Sequence, residues 1–180
     1  MNYLVALIIM FFSLTVQALS VSELSQLIPI NKPAQDFLQK EDRPKIFVTL
    51  SLSCPCSFSH LEHLSQLSEA HKEKIQFIGL LADPFTTVDE SKTQLLEMNL
   101  KIPIFFDIDL LISRKLEAVT TPHAFYFSGS QTLLYQGAVS SSHTFSSENV
   151  LYLKEAIEKN HAGIAYKKKT KPLGCTISYP

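Results

Sequence analysis

Two cysteines separated by a single proline are the residues of this chain best suited to covalent chemistry. Cys54, Pro55 and Cys56 follow the apolar run Ile46–Leu50 and precede an amphipathic stretch that begins near Phe58. The motif is therefore predicted at a strand-to-helix junction, with the proline at the first helical position and the first cysteine at the N-cap. Free amides and the positive dipole end of a helix favour the thiolate, which is the reactive form of cysteine. This arrangement predicts thiol–disulfide exchange or thiol oxidation.

Alternating strands and helices are predicted around this motif. The predicted strands are residues 45–51, 75–81, 102–106, 124–127 and 132–139, and the predicted helices are residues 21–28, 57–71, 89–98, 110–118 and 146–159. This order is typical of an α/β fold with early crossover units and a late antiparallel hairpin. Residues 161–180 are predicted to form an irregular basic tail, whose run Lys167–Lys171 is expected to be solvated.

Composition favours one exported domain. The chain has 180 residues, is 46% apolar and 18% charged, and carries a net charge of −1, so nothing indicates a nucleic-acid partner. Residues 1–18 form an apolar run that ends in Val16-Gln17-Ala18, which predicts a secretory signal peptide cleaved after Ala18. The remaining single domain, residues 19–180, is predicted to be periplasmic or secreted, with no membrane span in the mature chain.

The third cysteine, Cys175, follows the last predicted helix. About fifteen residues separate the two, and an extended segment of that length spans roughly 50 Å, whereas the domain radius is only about 15 Å. Cys175 can therefore reach Cys54. An odd number of cysteines leaves at least one thiol free or shared with a partner. Cys175 is then a resolving cysteine, a lock on the tail, or a cysteine unrelated to the motif.

The order of these motifs resembles the thioredoxin superfamily. Within it, the chain is most similar to the redoxin branch, related to alkyl hydroperoxide reductases and thiol-specific antioxidant proteins. The matching stretches are Phe47–Ser57, Phe105–Asp107, Thr120–Phe125, Leu134–Ala138 and Lys171–Ile177. The resemblance implies a thioredoxin-like fold, with a central mixed β-sheet flanked by helices.

The same resemblance implies an exported thiol–disulfide oxidoreductase. Cys54 would be the nucleophilic thiolate, and Cys56 or Cys175 would resolve the mixed disulfide. Protein or small-molecule thiols and disulfides would be its partners, a thiol would be its reductant, and no bound cofactor would be needed.

Further residues take roles by the same resemblance. Pro122 would be cis and lie against the nucleophile, and Thr121 would expose its backbone for pairing with a substrate strand. His123 would complete this substrate groove. Ser51 or Ser57 would donate a hydrogen bond to the reactive sulfur.

Other functions are also open. A thiol peroxidase would oxidise Cys54 to a sulfenic acid. A copper- or zinc-binding protein without turnover, similar to the exported copper chaperones of cytochrome oxidase, would use Cys54, Cys56, His60 and His123 as ligands. A binding module that has lost activity is a further alternative. Outside the metal hypothesis, His60 and His63 are expected to be solvated residues on a helix surface.

Overall fold

The structure, a computed structural model, describes residues 19–32, 42–96, 98–166 and 169–179. The predicted signal peptide lies outside the described residues, as do Lys167 and Lys168 of the basic run. Within the described ranges, no helix is long and apolar enough to cross a membrane.

A mixed sheet of six strands forms the centre of the fold. Its strands are β1 (Ile28–Pro29), β2 (Lys45–Leu50), β3 (Gln76–Leu81), β4 (Ile104–Phe106), β6 (His123–Phe127) and β7 (Leu133–Gly137), in the spatial order β1-β4-β3-β2-β6-β7. Strands β2, β3 and β4 are parallel, whereas β1, β6 and β7 each pair antiparallel with a neighbour. The predicted α/β class and mixed sheet are confirmed.

Helices flank this sheet. They are α1 (Val21–Leu24), α2 (Pro55–His71), α3 (Val88–Leu96), α4 (Leu111–Lys115), which follows a 3-10 turn at Ile108–Leu110, and α5 (Tyr152–His161). Helix α5 begins later than predicted because serines and an asparagine bind the backbone of the preceding loop. Ser146 N–H donates to the Asn149 side chain at 2.9 Å, and Val150 N–H donates to Ser141 Oγ at 3.1 Å. Such local hydrogen bonds compete with helix formation.

Strand β2 contributes side chains to both faces of the sheet. Ile46, Val48 and Leu50 pack with Leu61 and other apolar residues of α2 in one core cluster. Phe47, which points to the opposite face, packs in a second cluster. Burial on both faces explains why β2 is apolar at most positions and does not alternate regularly between apolar and polar residues. The strand therefore fixes the start of α2, and with it the cysteine motif, at the centre of the molecule.

A second, two-stranded sheet joins the C-terminal end of the chain to the body. Strand β5 (Thr120–Thr121) pairs antiparallel with β8 (Cys175–Thr176), and Ile177 N–H donates to Val119 O at 3.1 Å. The prediction of an irregular segment is wrong here, because pairing with a distant strand leaves no local signal. Residues 169–179 are called the tail below.

The tail also docks on the edge of β7. Thr170 N–H donates to Gln136 O at 3.0 Å, and Thr170 Oγ1 accepts a hydrogen bond from Ala138 N–H at 3.1 Å. Gly137 lies between these residues at φ +146°, and a Cβ there would come within 2.1 Å of Thr170 Oγ1. The missing side chain at Gly137 thus allows the tail to approach the sheet.

Candidate redox site

The cysteine motif occupies the first turn of α2, as predicted. Cys54 is the N-cap residue, with extended φ and ψ of −94° and 113°, and Pro55 is the first helical residue. Phe58 N–H donates to Cys54 O at 3.0 Å and closes the first turn. The Cys54 side chain makes no capping hydrogen bond to the helix, since its sulfur is bonded elsewhere.

A disulfide joins Cys54 to Cys175 across 121 residues of sequence, with a Cα–Cα distance of 6.1 Å. Cys56 is a free thiol, and all three sulfur atoms lie within 4.8 Å of one another. Cys54 is only 3% exposed, whereas the other two cysteines are half-buried. The structure thus brings together the three cysteines that the sequence singled out.

The peptide bond between Thr121 and Pro122 is cis and lies beside this disulfide. Cys54 Sγ is 3.1 Å from the carbonyl oxygen of Thr121, and Thr121 is paired with Cys175 in the two-stranded sheet. The backbone expected to receive a substrate strand is therefore covered by the tail.

The two serines expected to contact the reactive sulfur bind other groups in this disulfide-bonded state. Ser51 O–H donates to Asp83 Oδ2 at 2.7 Å, Ser53 O–H donates to the same oxygen at 2.9 Å, and Ser57 Oγ accepts from Ser51 N–H at 3.2 Å. Burial raises the pKa of Asp83, but hydrogen bonds from Ser51, Ser53 and Phe85 N–H outweigh it and hold the pKa below its usual value. Asp83 was not predicted as a site residue, although it follows β3, whose end lies beside the end of the parallel strand β2.

The histidines of the metal hypothesis do not join the three sulfurs. His60 Nδ1 lies 2.7 Å from Cys56 O and His60 Nε2 lies 2.8 Å from Ser140 Oγ, so both ring nitrogens are engaged. His123 is buried, and burial lowers its pKa to about 4. Among the described residues, the cluster that could hold a metal contains only the three cysteines.

The prediction that His60 and His63 are solvated is wrong, since both are buried. The loop before α5 covers this face of α2: the Phe145 ring stacks on His63 with centroids 4.5 Å apart, and Phe145 N–H donates to Ser59 Oγ at 3.2 Å. A loop from 80 residues further along the chain covers a face that the helical pattern alone would leave open.

The same loop supplies a residue that the sequence analysis missed. His143 Nδ1 lies 3.6 Å from Cys56 Sγ, within contact distance for a thiol and an imidazole. The two residues are 87 positions apart, so no local spacing links them. The free thiol and the imidazole are therefore close enough to share a hydrogen bond.

Comparison with solved structures identifies the fold. An uncharacterized conserved protein from Geobacillus kaustophilus aligns with a TM-score of 0.70 at 16% identity, over 86% of this chain and 89% of that chain. A hypothetical protein from Sinorhizobium meliloti 1021 aligns with a TM-score of 0.70 at 15% identity, over 86% and 91%. An uncharacterized thioredoxin-like protein from Porphyromonas gingivalis aligns with a TM-score of 0.52 at 14% identity, over 76% and 86%. The chain has the thioredoxin fold. No protein-family model and no curated protein sequence matches it.

In this thioredoxin fold, the first residue of the α2 motif and the strand that pairs next to the cis-proline are joined covalently. Cys54 begins the helix, Cys175 lies on the strand that covers Thr121, and Cys56 stands within 4.8 Å of both sulfurs. Thiol–disulfide exchange proceeds by attack of a thiolate on a disulfide sulfur. The site therefore holds a disulfide and a neighbouring thiol at distances from which a small movement allows exchange.

Proposed function

We propose that the protein is an exported thiol–disulfide oxidoreductase of the redoxin type, in which Cys54 is the nucleophile and Cys175 its disulfide partner. One observation carries this proposal. Three cysteine sulfurs lie within 4.8 Å at a helix N-terminus beside a cis-proline, and two of them form a disulfide. Disulfides and thiols so placed in the thioredoxin fold are suited to exchange with an external partner.

The reaction transfers two electrons. In the reduced protein, the Cys54 thiolate attacks a substrate disulfide, a mixed disulfide forms, and one substrate thiolate leaves and takes a proton from solvent. The Cys175 thiolate then attacks Cys54 Sγ, releases the second substrate thiol and forms the Cys54–Cys175 disulfide. Two reductant thiols, or one dithiol, restore the protein dithiol by the reverse steps and leave as a disulfide. With a dithiol substrate, the same steps in reverse oxidise the substrate and reduce the protein.

Cys56 provides a second route. His143 Nδ1, at 3.6 Å, accepts the Cys56 proton, and the resulting thiolate attacks the disulfide whose sulfurs lie within 4.8 Å. This attack on Cys54 Sγ forms a Cys54–Cys56 disulfide and releases Cys175 as a thiolate, so the disulfide moves within the protein and the tail is freed without any external thiol. In the reduced protein, the Cys56 thiolate can instead attack Cys54 Sγ of the mixed disulfide while the tail is away, and the substrate thiolate leaves.

Exchange ranks above peroxide reduction in this proposal. The strand that pairs beside the cis-proline is joined to Cys54 by a disulfide, so the site already holds an extended polypeptide in the arrangement of a mixed disulfide. Exchange with a polypeptide uses such a pairing surface, whereas reduction of a peroxide requires none.

Export is part of the same proposal. The apolar run of residues 1–18 supports a signal peptide, and disulfides persist in oxidising compartments such as the periplasm. Intact-mass analysis of protein expressed from the full sequence should find the mature chain beginning at Leu19. A cytoplasmic product that retains Met1 would contradict export.

Disulfide mapping combined with single substitutions tests the oxidoreductase proposal. Peptide mapping of the oxidised protein should recover the Cys54–Cys175 bridge with Cys56 alkylated. Cys54→Ser should abolish reduction of a model protein disulfide, Cys175→Ser should slow it, and Cys175→Ser combined with Cys56→Ser should accumulate the mixed disulfide. Recovery of only a Cys54–Cys56 bridge, with turnover unchanged in Cys175→Ser, would contradict the assigned partner. Faster reaction with hydrogen peroxide than with any disulfide would favour the peroxidase.

The three-sulfur cluster also supports a second candidate function, binding of a soft metal ion by the reduced protein. Thiolates suit Cu(I) and Zn(II), and a Zn–S bond of about 2.3 Å fits sulfurs that are already this close. Competition with a chelator would show a one-to-one complex that is lost in Cys175→Ser and kept in His123→Ala. Loss in His123→Ala instead would restore the ligand set inferred from sequence.

A further inference from the structure

The tail binds the body largely through interactions that a separate polypeptide can also make. Cys175 pairs with Thr121, Thr176 pairs with Thr120, and Ile177 N–H donates to Val119 O at 3.1 Å. Main-chain pairing of this kind is how a groove binds the backbone of an extended peptide, whereas contacts to its side chains select the sequence. The tail thus marks the path and the direction that a substrate segment would take across the site.

Two positions of the tail are restricted by their surroundings. A Cβ on Gly174 would lie 2.2 Å from Thr121 O and 3.0 Å from Pro122 N, so no side chain fits immediately before the cysteine. Two residues after the cysteine, Ile177 is buried in the core cluster that contains Phe105 and other apolar side chains. Thr176, between them, is exposed. The groove therefore selects for glycine before the cysteine and for an aliphatic residue two positions after it.

One large aromatic side chain is exposed at the cleft beside the disulfide, and a second is exposed at the start of α2. Phe58, in the first turn of α2, is 57% exposed. Phe85, which lines the cleft next to Cys54 and Cys175, is 85% exposed. An exposed aromatic ring beside a main-chain pairing site offers a polypeptide an apolar contact in addition to the backbone hydrogen bonds.

We propose that the tail is a tethered copy of the substrate, and that the site takes extended polypeptide segments of the pattern Gly-Cys-x-aliphatic. This proposal rests on the proposed function of Cys54 as nucleophile. The segment pairs antiparallel with Thr120 and Thr121, and its cysteine occupies the position of Cys175. The Cys54 thiolate attacks the sulfur of the segment's disulfide, the new Sγ–Sγ bond forms, and the former partner leaves as a thiolate. Electrons balance, because one disulfide replaces another.

The experiment uses the reduced full chain carrying Cys56→Ser and Cys175→Ser, so that Cys54 is the remaining thiol. The probe is a peptide with the sequence of residues 171–179, whose cysteine is joined to thionitrobenzoate, and release of the coloured anion gives the rate. The same peptide with Gly174→Ala should react at least about tenfold more slowly. The overlap of its Cβ with Thr121 O is expected to cost more than the roughly 1.4 kcal/mol that corresponds to a tenfold change in rate. Ile177→Ala in the peptide should also slow the reaction, whereas Thr176→Ala, at the exposed position, should leave it unchanged.

The same substitution in the protein should act in the opposite direction. Gly174→Ala in the full chain expels the tail from the groove, so the unaltered peptide should react faster than with the parent variant, and Thr176→Ala should again change nothing. Equal rates for the glycine and alanine peptides at concentrations well below saturation would overturn the proposal, even if the Gly174→Ala protein failed to fold. Reaction of Cys54 with the mixed disulfide of glutathione and thionitrobenzoate reports the proposed function separately. Loss of that reaction would refute the assignment of Cys54 as the nucleophile. If the reaction is retained but the glycine and alanine peptides are not distinguished, only the tethered-substrate proposal is refuted.

Discussion

Replacing Cys175 by serine should lower the free energy of unfolding of the oxidised protein by about 5 kcal/mol. The disulfide closes a loop of 121 residues. In the chain-entropy description, cross-linking a loop of that length removes about 16 cal/mol/K from the unfolded ensemble, which is about 5 kcal/mol at 25 °C. The tail keeps its other anchors, since Ile177 is buried and Tyr179 O–H donates to Ala118 O at 2.6 Å. Most of the decrease in the free energy of unfolding is therefore expected to come from the greater conformational freedom of the unfolded chain.

Urea unfolding under non-reducing conditions measures this difference, and thermal unfolding should show a decrease of roughly 10–20 °C in the melting temperature. Adding a reductant should bring the wild-type protein close to the level of the Cys175→Ser variant and leave that variant unchanged. Cys56→Ser is the matched control and should retain the full stability, because Cys56 is a free thiol. A loss below about 1 kcal/mol in Cys175→Ser, or an equal loss in Cys56→Ser, would refute the assigned pairing, since the loop entropy would then be absent.

Three further predictions concern pH and thiol reactivity. Burial lowers the pKa of His63 and of His123 to about 4 each, from 6.5. The unfolded chain then binds more protons, so the free energy of unfolding should fall as pH decreases from 6.5 towards 4, by at most about 1.4 kcal/mol per pH unit for each histidine. Urea unfolding midpoints measured between pH 6.5 and pH 4 test this prediction. His63→Gln or His123→Gln should make the free energy of unfolding less dependent on pH. In the oxidised native protein, iodoacetamide should label one thiol, Cys56, and labelling of all three cysteines would show that the disulfide is absent. In the reduced protein, Asp83→Asn should speed alkylation of Cys54 at neutral pH, because a nearby negative charge disfavours the thiolate; an unchanged rate would show that the carboxylate does not act on the sulfur.

Local patterns were enough to predict the framework of the site. The apolar run of β2 and the apolar positions of α2 define a strand and a helix, and the residues between them must form the junction. Pro55 then fixes where the helix starts. These features depend on neighbours within one or two turns of chain, and sequence patterns report such neighbours directly. The general positions of Cys54 and Cys56 followed from them.

The residues that surround the sulfurs depended on distant contacts. His143 meets Cys56 from a loop 87 residues away, and that loop was predicted in part as the start of a helix. Its serines instead bind their own backbone. Strand β8 has only two residues, so it has no period for a pattern to reveal, and its pairing with Thr121 is decided by the packing of Ile177 and by the disulfide.

The covalent attachment of the tail has a kinetic consequence. A cysteine held on the same chain competes with external substrates at an effective concentration that is on the order of millimolar. A separate polypeptide at a much lower concentration enters only when the tail has left, so the first-order departure of the tail sets an upper limit on turnover. The rate of exchange should then saturate with increasing substrate at one ceiling shared by different substrates. An apparent Michaelis constant would then report the competition between reclosing of the tail and capture of the substrate, and would say little about how tightly each substrate binds.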